Sequence, residues 1–156
     1  MIDPYFNEND ILLRNTIRDF VEREILPNAS KYDLNEEFPS DVISKVSDMG
    51  LFKLGIDENF GGVVGSNMHL AIVTEELARG CASTAVIYAS HLSLCAKYID
   101  KFGSDEQKAS YLLKYSAKNP LIECFLMSFR SKYLRKNFFF DFKFFSLYFS
   151  QFNKIA

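Results

Sequence analysis

The chain is poor in the residues that mark several functional classes. Its three cysteines, Cys81, Cys95 and Cys124, form no C-x-x-C pair. Neither a zinc knuckle nor a disulfide framework is therefore expected, and a reducing compartment fits. The two histidines, His69 and His91, have no Glu or Cys at ligand spacing beside them, so no metal site is expected. A net charge of −2 over 156 residues offers no attraction for nucleic acid or acidic lipid. No apolar run reaches the roughly 20 residues that a spanning helix needs. The opening MIDPYFNEND is acidic and has neither a signal-peptide apolar core nor the Arg/Ser-rich look of a transit peptide, which points to a cytoplasmic protein.

What is present is helical periodicity. Residues 8–26 repeat apolar positions at Leu13, Ile17, Phe20, Val21 and Ile25, with Pro27 as the expected stop. Arg14, Arg18, Glu22 and Arg23 make the opposite side wet. Pro39-Ser40 opens a second helix with Val42, Ile43, Val46 and Met49 inward and Gly50 at its left-handed end. A third runs from about Ser66 to Arg79, with Leu70, Val73, Leu77 and Ala78 on one side. The pattern Ile87, His91, Leu94, Cys95, Tyr98, Phe102 predicts a long core helix over 83–102, stopped by Gly103. Ser104 and Gln107 form a capping box for a last helix, with Ala109, Leu112 and Leu113 inward and Asn119-Pro120 as its end.

Several tempting chemical readings fail on pattern. Residues 51–65 hold four glycines but no G-x-G-x-x-G after a strand and no Gly-Lys-Ser/Thr, so a turn is expected and not a phosphate cradle. Glu75 and Glu76 are adjacent, and neighbours on a helix point about 100° apart, so they form no catalytic dyad. A solvated face is expected, with Glu75 paired to Arg79 four residues on. His91 is expected as a core or helix-surface histidine before a catalytic base.

The last 28 residues differ in kind. Residues 1–128 carry 12 Lys/Arg against 19 Asp/Glu, whereas residues 129–156 carry 6 against 1 and hold 9 of the 16 phenylalanines. Phe, Lys, Tyr and Asn have codons rich in A and T, so this composition suggests out-of-frame reading from about codon 129. The rival readings are a membrane-contacting or oligomerising tail and a true core element. Asp141 and Lys143 interrupt the aromatic run, so membrane contact is the weaker expectation.

EELARG at 75–80, YASHLSLC at 88–95 and FGSDEQKASYL at 102–112, in that order and spacing, resemble the amino-terminal helical domain of the acyl-CoA dehydrogenases. The Tyr-x-x-His-x-x-Leu-Cys wording is similar to the isovaleryl-CoA branch, and the likeness runs over about residues 8–128. It implies an all-α fold, an up-down helical bundle over 1–118. Residues 119–128 would then be the remnant of the first strand of a flavin-binding β domain, and 129–156 an aromatic, basic tail.

For function, the resemblance implies an FAD-dependent oxidoreductase that makes an enoyl-CoA from an acyl-CoA thioester. In that chemistry a glutamate takes the α-proton and the flavin takes the β-hydride. The 83–102 helix would help wall the acyl pocket through Tyr88, Ala89 and His91, while Phe125, Met127 and Ser128 would face the flavin. At Phe129-Arg130-Ser131-Lys132 the chain leaves the family's Glu-Pro and Gly-Ser-Asp pattern, and Glu123 stands where a small residue is usual. No catalytic residue is nominated, and turnover of acyl-CoA by this chain alone is not expected. Apolar faces left without partners would favour association with itself or with a full-length relative.

Overall fold

A computed structural model describes residues 5–115. The expected strand remnant at 119–128, the Asn119-Pro120 stop and the 129–156 tail lie outside the described residues. Within them the fold is all-α, as periodicity predicts. It comprises α1 (Glu8–Phe20), a π-helical segment (Val21–Ile25), α2 (Leu26–Asn35), α3 (Ser40–Asp48), α4 (Asn67–Gly80), α5 (Ala82–Ala89), a second π segment (Ser90–Ala96), α6 (Lys97–Phe102) and α7 (Asp105–Tyr115). Short 3-10 turns at Leu51–Lys53 and Glu58–Phe60 punctuate the α3–α4 loop.

α1 begins at a reciprocal cap, in which Asn7 Oδ1 accepts from Asp10 N–H and Asp10 Oδ2 accepts from Asn7 N–H, both at 3.0 Å. Ile17, Phe20, Val21 and Ile25 go into the core as their spacing predicts. Pro27 does not end the helix. It falls in the first turn of α2, directly after the π segment, where a missing N–H is tolerated and the chain continues to Asn35. Tyr32 then donates to Asp41 Oδ1 at 2.5 Å, linking α2 to α3 and pushing the phenol up to about 12.

α3 buries Val42, Ile43 and Val46 and ends at Gly50, whose φ of +74° is left-handed. Met49, expected inward, is instead exposed at the rim of α3. The glycine loop that follows spends its amides on itself. Gly55 N–H donates to Val63 O at 2.8 Å, Gly61 to Glu58 O at 3.1 Å, Gly62 to Asp57 O at 3.1 Å and Val63 to Lys53 O at 2.9 Å. Those donors are thus committed to a turn and not left to cradle a phosphate.

α4 lies beside α1 with the two helices running the same way. Their starts meet where His69 Nε2 stands 3.2 Å from Asp10 Oδ1. Their ends meet at Gly80, where a Cβ would come within 2.6 Å of Val21 Cγ1 and 3.0 Å of Ile25 Cγ2. The absence of a side chain at Gly80 sets this close approach. α5, the second π segment and α6 follow as one continuous helical run. It ends at Gly103, and the predicted Ser104–Gln107 box opens α7.

Three expected faces need correction. In the long helix Leu94, Tyr98 and Phe102 point outward, while Thr84, Ala85, Tyr88, His91, Leu92, Cys95, Ala96 and Ile99 form the core face. The expected set mixed two sides of the helix: at about 100° per residue the buried positions from Thr84 to Ile99 fall in one arc, and Leu94 lies on the far side from it. In α4, Ile72, Val73, Glu76 and Leu77 are inward and Ala78 outward; in α7 Leu112 is buried, while Ala109 and Leu113 are exposed.

Candidate functional site

Two clusters rise above ordinary packing. The first gathers on Phe52, whose side chain enters the core from the turn after α3. Tyr88 and His91, nearly one helical turn apart on the long helix, both meet it. The Phe52 and Tyr88 ring centroids are 5.7 Å apart, and the His91 ring stands edge-on to Phe52 at 5.1 Å and 88°. All three are buried. Ala89, the third pocket candidate, is half-buried on the neighbouring side of the helix.

Burial raises the Tyr88 phenol well above its ordinary range, and its hydroxyl has no hydrogen-bond partner among the described residues. The fold thus holds Tyr88 as a neutral, desolvated ring. His91 likewise sits within the core, as its spacing suggests, where it shapes the helix wall. Pocket candidates Tyr88 and His91 are therefore brought together on the inward side, with Ala89 beside them. Phe125, Met127 and Ser128, expected at the flavin, lie outside the described residues.

The second cluster was missed by the sequence reading. Glu76, expected on a solvated face, is fully buried between α1 and α4. Arg18 donates to it twice, Nη2 to Oε1 at 2.6 Å and Nε to Oε2 at 3.0 Å. Arg14 Nε adds a contact at 3.2 Å and Arg79 Nη1 one at 2.8 Å. Burial alone would raise this carboxyl, but the hydrogen bonds from Arg18, Arg79 and Arg14 overcome that and hold it at about 2. Arg79 consequently pairs with Glu76 and not with Glu75, which remains exposed. Only EELAR's own i, i+3 spacing hinted at the Arg79 contact; Arg14 and Arg18 arrive from about 60 residues away.

Such an arrangement holds two helices in register and offers no chemistry of its own. Glu76 is ionised, saturated with donors and sealed from solvent, so it cannot serve as a general base. Among the described residues no group of three or more His, Cys, Asp or Glu could hold a metal ion. No helix there is long and apolar enough to cross a membrane.

Residues 7–118 match the family described as acyl-CoA dehydrogenase, N-terminal domain. The short-chain specific acyl-CoA dehydrogenase of Clostridium acetobutylicum is 36% identical over 102 residues, covering 65% of this chain and 27% of that protein. The mitochondrial short-chain specific enzyme of Bos taurus is 36% identical over 121 residues, covering 78% and 29%. Among solved structures, the glutaryl-coenzyme A dehydrogenase–glutaryl-CoA complex superposes with a TM-score of 0.67 at 31% identity, over 74% of this chain and 30% of that one. Butyryl-CoA dehydrogenase from Megasphaera elsdenii, at 23% identity and a TM-score of 0.68, shares the fold. The chain spans less than a third of the length of each of these relatives. With residues 7–118 accounted for in sequence and in fold, the chain belongs to the acyl-CoA dehydrogenase family and carries its N-terminal helical domain.

Proposed function

We propose that residues 7–118 serve as the helical wall of an FAD-dependent acyl-CoA dehydrogenase, and that these 156 residues do not turn over acyl-CoA by themselves. The observation that carries this reading is the family match over 7–118, set against relatives of whose length the chain covers 27% and 29%. The site geometry supports it: the Phe52–Tyr88–His91 cluster is a packed, desolvated wall, and Glu76 is locked in an ion-pair network. In the assembled enzyme the ligand class is an acyl-CoA thioester, short or branched in its acyl part. The long helix contributes the shape of that site through Tyr88, Ala89 and His91. FAD, when bound, supplies the acceptor for the hydride; Phe125, Met127 and Ser128 are this chain's candidates for facing it.

A steady-state assay tests the reading. Purified chain supplied with FAD, butyryl-CoA or isovaleryl-CoA and an artificial electron acceptor should give the protein-free rate. Turnover above that rate overturns it. We also read residues 129–156 as translation in a shifted frame. If so, another frame downstream of codon 128 resumes with Glu-Pro and a Gly-Ser-Asp turn; if neither other frame does, the tail was acquired.

A further inference from the structure

The start of α4 is closed by a histidine where a capping box ordinarily has Glu or Gln. Ser66 Oγ accepts from His69 N–H at 3.1 Å, and Ser66 N–H donates in return to His69 Nδ1 at 3.4 Å. The other ring nitrogen, Nε2, stands 3.2 Å from Asp10 Oδ1. Asp10 is buried and its Oδ2 takes the Asn7 N–H, so one carboxylate caps α1 and reaches across to α4. These two contacts fix the state of the ring. Nδ1 accepts only through its lone pair, and a carboxylate calls for a donor, so the ring that makes both contacts is neutral with its hydrogen on Nε2.

We propose that His69 is a pH-sensitive latch between the 51–65 loop and α4: neutral, it caps the helix and closes the last joint of the loop; protonated, it lets go of Ser66 while keeping α1 and α4 tied through Asp10. A hydrogen on Nδ1 faces the Ser66 N–H donor to donor, so that bond is lost. The Nε2 bond to Asp10 becomes charge-assisted and strengthens. From α1 the ring meets Asp10, with Glu8 in the same first turn, while Arg14 one turn further on is committed to Glu76. From α6, Lys97 donates to Asn67 Oδ1 at 3.0 Å, two residues before His69. Lys97 and the positive end of α4 oppose a charge on the ring, and Asp10 offsets them. Upstream of the joint, the bonds from Gly55 N–H to Val63 O and from Val63 N–H to Lys53 O hold the loop without help from His69. The release is therefore local to the stretch between Val63 and α4.

The test is residue-resolved amide hydrogen exchange of the full 156-residue chain by NMR, at about pH 7.5 and about pH 5, the range over which imidazole changes charge. After correction for intrinsic exchange, Ser66 should lose protection by at least about threefold at the lower pH, the worth of one hydrogen bond, while Val73 within the same helix keeps its own. The ring nitrogens of His69 should titrate together with the Ser66 amide shift. His69→Gln supplies the usual capping-box side chain, which accepts from Ser66 N–H and does not titrate, so its Ser66 protection should be equal at both values. A parent Ser66 equally protected at both, a neutral ring with its hydrogen on Nδ1, or a Gln variant that loses Ser66 protection as the parent does overturns the latch. Equal loss at Ser66 and Val73 assigns the effect to general loosening in acid and overturns it too.

Discussion

Arg18 and Glu76 stand 58 residues apart in sequence and share two hydrogen bonds, at 2.6 and 3.0 Å, across the α1–α4 interface. The pair fixes the register of two helices that run side by side in the same direction. Around it, Arg14 and Arg79 complete the donor set, and Phe6 lies against the Arg14 guanidinium at 5.3 Å.

Replacing Glu76 with Gln keeps the shape and removes the charge that three guanidiniums face. A carboxyl held at about 2 in the fold and near 4.3 in the unfolded chain contributes about 3 kcal/mol. Because the folded value is the lower one, this stability is present above the unfolded value and is lost as pH falls from about 4.3 towards 2. Urea titrations should therefore show the parent chain weakening over that window, and Glu76→Gln should be less stable at neutral pH by about 3 kcal/mol with a flatter acid profile. An unchanged midpoint would remove the cluster from the stability account.

Phe52→Ala should destabilise by about 3–5 kcal/mol, since it empties the space between Tyr88 and His91 in a core that cannot fully collapse. Tyr88→Phe should do the opposite. Removing a buried hydroxyl that lacks a partner relieves a desolvation penalty of about 1–3 kcal/mol. Thermal melts of the two variants should move in opposite directions.

At Gly62 a Cβ would lie 2.1 Å from the Ile56 carbonyl oxygen. Backbone cannot yield as a side chain would, so Gly62→Ala should open the 51–65 loop and cost about 2 kcal/mol or more, read by denaturant midpoint.

Glu36 closes α2 with φ of +54°, the left-handed value at which glycine is preferred. Glu36→Gly should leave the fold unchanged and raise stability by about 0.5–1 kcal/mol, measured by the same titration.

Local signals were legible in the sequence. Gly50, the Ser104–Gln107 box, Gly103 and the inward set Ile17, Phe20, Val21 and Ile25 all follow from propensity and spacing, and the structure places them so. The exposed face of the long helix and the end of the first were not. Leu94, Tyr98 and Phe102 are exposed along a run that contains the Ser90–Ala96 π segment, and the helix runs past Pro27 directly after the one at Val21–Ile25. Glu76 was misread for a different reason. Its burial depends on Arg14 and Arg18 arriving from another helix, and no window around EELARG contains them. Tyr88 and His91 were singled out by resemblance, while Phe52, which brings them into contact, had no signal beyond being apolar.

The visible absorption spectrum of the purified chain tests the central claim most directly. The account predicts a colourless protein with a cooperative helical melt, unchanged by an acyl-CoA thioester. A yellow preparation whose flavin absorption bleaches when the thioester is added would contradict it.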